Sequence, residues 1–211
     1  MTIQAPHYDH IGMALEPPAL YVPPRLHGSN IARLHTVLPL PEGAELDCLL
    51  NGSPEAVEGL SLFHYPTSTG VYVDDRFLEH YTGPWPAIVE VRYLKNGRPA
   101  DLVRLPLLNT LTAVPTHLRV YVSGSPVQVP PEGHVAVLQT NPYLYDADGV
   151  PLPFGYGTAI ELLDPHPGIE HYDNTFTITH RAVPGHYRVR ITTQWSLEQT
   201  VSFTVLASAS L

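Results

Sequence analysis

Apolar residues in this chain recur at every second position within short runs, and prolines bound the runs. In Tyr187-Arg188-Val189-Arg190-Ile191, the residues Tyr187, Val189 and Ile191 share one face while Arg188 and Arg190 share the other. Thr200-Val201-Ser202-Phe203-Thr204-Val205 and Thr175-Phe176-Thr177-Ile178-Thr179 repeat the period. A period of two belongs to a strand with one buried and one wet face. Segments of this kind are 45–50, 59–65, 70–74, 86–95, 101–108 and 117–123, then 134–140, 157–163, 174–180, 185–193 and 198–206. Asn96-Gly97 lies between Ile88–Leu94 and Leu102–Leu105. It reads as a hairpin turn, since both residues tolerate positive φ. The residues expected to face the core are Val89, Val91, Tyr93, Val120, Val122, Val135, Val137, Ile160, Leu162, Phe176, Ile178, Tyr187, Val189, Ile191, Phe203 and Val205.

Composition agrees with strands. The 211 residues include 23 prolines, spread so that few windows could hold a four-turn helix. Residues 1–34, punctuated by Pro6, Pro17, Pro18, Pro23 and Pro24, read as an extended arm that could lie on a neighbouring subunit. Two domains are expected after it, at 35–125 and 126–211, with a boundary near Ser123-Gly124-Ser125-Pro126. Self-similarity supports a tandem: Ala113–Val122 and Ala182–Ile191 agree at seven of ten positions when Val and Ile are taken as equivalent.

The second half also resembles bacterial immunoglobulin-like domains of the invasin type. The resemblance rests on Tyr145-Asp146-Ala147-Asp148-Gly149-Val150-Pro151, on Gly157-Thr158-Ala159-Ile160-Glu161-Leu162 and on Pro184-Gly185-His186-Tyr187-Arg188-Val189. It implies an all-β chain, with two tandem immunoglobulin-like β-sandwich domains after the N-terminal arm. It also places Tyr187 at the tyrosine corner, where the hydroxyl bonds back to the backbone. Such domains occur on exported adhesins and on bacteriophage particles. With no basic and apolar leader at the N-terminus, the resemblance implies a virion accessory subunit, on the head, neck or tail. Its partners would be other virion subunits and further copies of the chain.

Charge and candidate chemistry narrow the function. Net charge is −9 with no run of basic residues, so nucleic acid is not an expected partner. No run of 18 apolar residues suggests a membrane span. The single cysteine, Cys48, sits in an apolar strand-like run and reads as a small core hydrophobe. No phosphate-cradling glycine loop, nucleophile elbow or His-Glu-x-x-His pair is present, so neither an enzyme nor a cofactor is expected. The strongest metal candidates are His166, His171 and Asp173 in the loop 164–173, which would make a metal-dependent enzyme the third reading. His7-Tyr8-Asp9-His10 is a weaker candidate of the same kind. Asp146-Ala147-Asp148-Gly149 opens like a calcium loop but has Gly157 where the closing glutamate belongs. Asp74-Asp75 reads as a solvated strand end. The expected contact surface is Tyr143, Tyr145, Phe154 and Tyr156, in what reads as a Pro/Gly-rich loop from 141 to 157. Host-surface glycan, stacked on those rings, is the alternative ligand.

Overall fold

The structure is a computed structural model and describes residues 11–40, 44–54, 56–65 and 68–208. The chain divides into two compact units, Met1–Ala113 with Val150–Pro153, and Val114–Gly149 with Phe154–Leu211.

The first unit contains β1 (Met13–Glu16), β2 (Leu20–Val22), β3 (Ser29–Thr36), β4 (Glu45–Leu50), β5 (Leu60–Tyr65), β6 (Ser68–Asp74), α1 (Arg76–His80), β7 (Ala87–Lys95) and β8 (Arg98–Asn109). They form two four-stranded sheets, ordered β1-β3-β6-β5 and β2-β8-β7-β4. Along β7, Ala87, Val89, Val91 and Tyr93 are buried and alternate with Glu90 and Arg92, so the period of two is realised. Val22, Val71, Val73, Phe77, Leu105 and Leu107 complete the same core. Asn96 and Gly97 both have positive φ and join β7 to β8, as expected.

The second unit contains β9 (His117–Ser123), β10 (Val127–Gln128), β11 (Val135–Tyr145), β12 (Thr158–Leu162), β13 (Ile169–Tyr172), β14 (Thr175–Thr179), β15 (Gly185–Thr193) and β16 (Glu198–Leu206). Its sheets run β13-β14-β11-β9 and β10-β16-β15-β12. Strand for strand this is the topology of the first unit. In each, the first strand joins the sheet of the second strand, and a short continuation crosses to pair in parallel with the last strand. These pairs are β2 with β8 and β10 with β16. A cis X–Pro bond, Glu16-Pro17 or Ser125-Pro126, stands at the crossing.

Several expectations need correction. Residues 11–34 are not an arm. They supply β1, β2 and most of β3, with Leu20, Tyr21 and Val22 buried. Asn30 Nδ2 donates to Tyr21 O at 2.6 Å, and the Thr110 hydroxyl donates to Val22 O, which ties β2 in. Prolines are compatible with this because they sit at the crossing between sheets and on edge strands. Residues 1–10 lie outside the described residues. The units divide at 113/114 and not near 125, since β9 pairs with β11 along its whole length. The self-similar segments Ala113–Val122 and Ala182–Ile191 are therefore not corresponding parts of two domains. Both lie mainly in the second unit, as its first strand and its sixth, and their likeness is that of any alternating strand after a proline. By topology the counterpart of β15 is β7.

Register along β11 also differs. Val135 and Val137, expected in the core, are 61% and 52% exposed. Leu138, Thr140 and Leu144 point inward instead. In Val135-Ala136-Val137-Leu138 both parities are apolar, so hydrophobicity does not set the phase, and a slip of one residue exchanges faces.

Candidate contact face on the second sandwich

The two outer faces of the second sandwich differ in chemistry. On the sheet β10-β16-β15-β12, cross-strand ion pairs cover the surface. Arg190 on β15 is opposite Glu161 on β12, with Nε 3.1 Å from the carboxylate. Arg188 forks onto Asp164, with Nη2 at 2.8 Å and its backbone N–H at 2.8 Å. The guanidinium and backbone N–H of Arg188 hold the Asp164 carboxyl down at about 2. The first unit repeats this at the equivalent strands: Arg92 Nε is 2.8 Å from Asp47 across β7 and β4, and Arg104 pairs with Glu90 at 2.8 Å. These are solvated, self-satisfied faces.

The outer face of β13-β14-β11-β9 has no such lattice. Phe176, Ile178, Leu138 and Leu144 point into the core, so their strand neighbours point out. They are His117, Arg119, Tyr121 and Ser123 on β9, Val135, Val137, Gln139, Asn141, Tyr143 and Tyr145 on β11, Thr175 and Thr177 on β14, and Glu170 and Tyr172 on β13, so that polar Gln139 and Asn141 stand between the valines and Tyr143. Tyr121, Val135, Val137, Tyr143 and Tyr172 are all exposed. Tyr143 packs edge-on against Tyr121 and against Phe154, each with centroids 5.7 Å apart. Arg119 lies over the ring of Tyr145, 5.4 Å from its centroid. Large apolar groups left in water on one sheet face make it the candidate for contacts.

The structure brings together three of the four residues expected to make contacts. Tyr143 and Tyr145 belong to β11 and not to a loop, and the irregular segment begins only at Asp146. Phe154 comes from that segment onto Tyr143. Tyr156 packs elsewhere, tilted against Trp195 with centroids 5.7 Å apart. Tyr121, Arg119 and the two valines were missed. Alternation on β9 places Tyr121 and Arg119 on one face together, and that was the signal available.

The metal candidates do not converge. His171 packs flat on Phe176 at 4.6 Å, and its Nε2 bonds to Asp173 O. His166 Nδ1 accepts the Gly168 N–H at 3.0 Å. Asp164 is engaged by Arg188. Among the described residues no group of three or more His, Cys, Asp or Glu side chains is placed to hold an ion. His7-Tyr8-Asp9-His10 lies outside the described residues. Asp146-Ala147-Asp148-Gly149 forms a turn, with Asp146 Oδ1 accepting from Asp148 N at 3.0 Å and Asp146 O from Gly149 N at 3.2 Å. Asp74 is not a solvated strand end: it is 6% exposed, and the Arg76 guanidinium bonded to it lowers its pKa. Asp75 Oδ2 accepts from Leu26 N at 2.9 Å. Cys48 is half-buried, and burial pushes its thiol pKa up, away from nucleophile chemistry. A cavity of about 350 Å³ near His134, Glu170, His180 and Arg181 is shallow and walled by exposed side chains.

Tyr187 Oη donates to Val183 O at 2.7 Å, as the tyrosine corner requires. No protein-family model and no curated protein sequence matches the chain. Among solved structures, similarity is found to a chimeric titin Z1Z2 carrying a decorin peptide, at 10% identity, TM-score 0.39, over 95% of this chain and 99% of that one. The Ig1-2 module of the Drosophila receptor protein tyrosine phosphatase DLAR follows at 10% identity and TM-score 0.36, over 91% and 94%. Domains 5-6 of the S-layer protein SbsC show 9% identity and TM-score 0.36, over 93% and 97%. TM-scores of this size leave the fold to be assigned from strand order. In each unit one sheet carries the first, second, fifth and fourth strands and the other the third, sixth and seventh, with the crossed-over continuation of the first strand on the edge. That is the immunoglobulin arrangement. The chain therefore carries two immunoglobulin-like β-sandwiches in tandem.

Proposed function

We propose that this chain is a non-catalytic structural protein that works by binding other protein surfaces, with the outer face of β13-β14-β11-β9 as its contact surface. The observation carrying this reading is the concentration of Tyr121, Val135, Val137, Tyr143 and Tyr172, all exposed, on one sheet face. The opposite face is closed off by its own ion pairs. The setting we propose is a bacteriophage particle, as head decoration or as a tail or neck component, because the resemblance to bacterial immunoglobulin-like domains points there. The arrangement of the rings favours protein over glycan. A sugar stacks on an open, flat ring face, whereas Tyr121, Tyr143 and Phe154 pack edge to face on one another, at 72° and 62°.

The test is mass spectrometry of purified particles induced from cells that carry the gene, with the wild-type chain and with Tyr143→Ser. Stoichiometric wild-type chain in the particles, reduced by the substitution, supports the reading. Recovery of the chain outside particles alone overturns the virion setting. Glycan-array binding lost with Tyr143→Ser would move the function to the adhesive alternative.

A further inference from the structure

We propose that the contact face of the second sandwich pairs with the same face of a second copy of this chain, about a two-fold axis. The inference rests on the proposed function and names one partner for the same surface. The face has two unlike halves because its sheet is staggered. β11 pairs with β14 over residues 135–139 and with β9 over residues 139–145. The half beside β9 is aromatic and cationic, with Tyr121, Tyr143 and Phe154 as protruding rings and Arg119 over Tyr145. The half beside β14 and β13 carries β-branched Val135, Val137 and Thr177 on the sheet, with Glu170 and the exposed Tyr172 on its edge strand and His180 and Arg181 close to Glu170.

Register locates the charges at opposite corners. Arg119 is level with Tyr143. Glu170 pairs with Thr177, which is level with Val137, six residues away along β11. At about 3.4 Å per residue that separation is roughly 20 Å, and the two charges lie on opposite edge strands. A two-fold axis in the plane of contact, crossing the line from Arg119 to Glu170 at right angles through its midpoint, sets the β9 half of each copy on the β13 half of the other. It also brings Arg119 against Glu170 twice. The contact is isologous: the same patch serves both copies. At a strand spacing of about 4.8 Å the face offers roughly 500 Å² per copy, so about 1,000 Å² across both. That is the lower bound for a specific interface, and it fits a reversible dimer.

The test is sedimentation velocity of the full chain from micromolar to several hundred micromolar. The wild-type chain is expected to shift from monomer to dimer with concentration. Val137→Lys, Arg119→Glu and Glu170→Arg are each expected to weaken the dimer at least about tenfold. All three sites are exposed, and circular dichroism melts matching wild type confirm folding. The decisive arm mixes Arg119→Glu with Glu170→Arg. Each alone sets like charges together, whereas the mixed dimer has opposite charges at both contacts and regains affinity over either variant. A wild-type chain monomeric throughout, or a mixture no tighter than either variant, overturns the pairing. If the chain is monomeric yet Tyr143→Ser still removes it from particles, the self-pairing fails and the proposed function stands. A dimer absent from particles does the reverse.

Discussion

Replacing Tyr187 by Phe isolates a single hydrogen bond in the core of the second sandwich. The ring stacks on Phe203 at 5.5 Å with planes 20° apart, and Phe keeps that contact. Only the hydroxyl, which donates to Val183 O, is lost. A buried carbonyl left unpaired would cost about 1–3 kcal/mol, but Val183 is exposed and water can reach it, so the net loss should be about 1 kcal/mol. Tyr187→Ala removes the ring as well and should cost about 3–5 kcal/mol. The chain's two tryptophans, Trp85 and Trp195, fall one in each unit. In a Trp85→Phe background, Trp195 fluorescence reports urea unfolding of the second unit alone. With a urea slope of about 1–3 kcal/mol per molar, Tyr187→Phe should lower the midpoint by roughly 0.5 M. An unchanged midpoint would show that the hydroxyl makes no such bond in solution. A drop as large as that of Tyr187→Ala would show that ring packing contributes little.

Ile191→Asp places a carboxylate at a fully buried site on β15; it should abolish the Trp195-reported transition and leave the Trp85-reported one in place. Gly59 has φ +86°, and a Cβ there would stand 2.3 Å from Phe77 N, so Gly59→Ala should destabilise the first unit by more than about 1 kcal/mol, seen as a lower urea midpoint. The Asp164 carboxyl, held at about 2 by Arg188 against an ordinary 3.8, adds stability above its ordinary value and loses it as pH falls through about 2. Carbon-13 NMR should place its titration midpoint near 2, and Arg188→Ala should return it to the ordinary range.

Strands were legible where alternation and bounding turns agreed. Segments 45–50, 117–123, 185–193 and 198–206 were read to the residue, because in each a predominantly apolar parity runs between turn residues. β1 to β3 were hidden by prolines that mark sheet crossings as readily as they mark an arm. β11 was cut short at 140 because 141–157, which opens with Pro142 at its second position, read as a Pro/Gly-rich loop. Yet Thr140 N bonds Asn174 O, which directs the backbone at 142 to the same side, beyond the end of β14. No ladder bond is missing there, so the strand runs on and carries Tyr143 and Tyr145 with it. The aromatic residues of the contact face were visible as composition. Their assembly with Tyr121 was not, because it depends on which strand lies beside β11, a long-range pairing that local pattern leaves open.

The crossing of each first strand to the opposite sheet has a mechanical consequence. β2 lies parallel to β8, and β10 parallel to β16. Tension entering before the one and leaving after the other pulls the pair in opposite senses along their length. Their hydrogen bonds then bear the strain together and must rupture as a set, whereas an antiparallel hairpin pulled at its open end unzips rung by rung. Each sandwich thus carries a clasp where its ends meet.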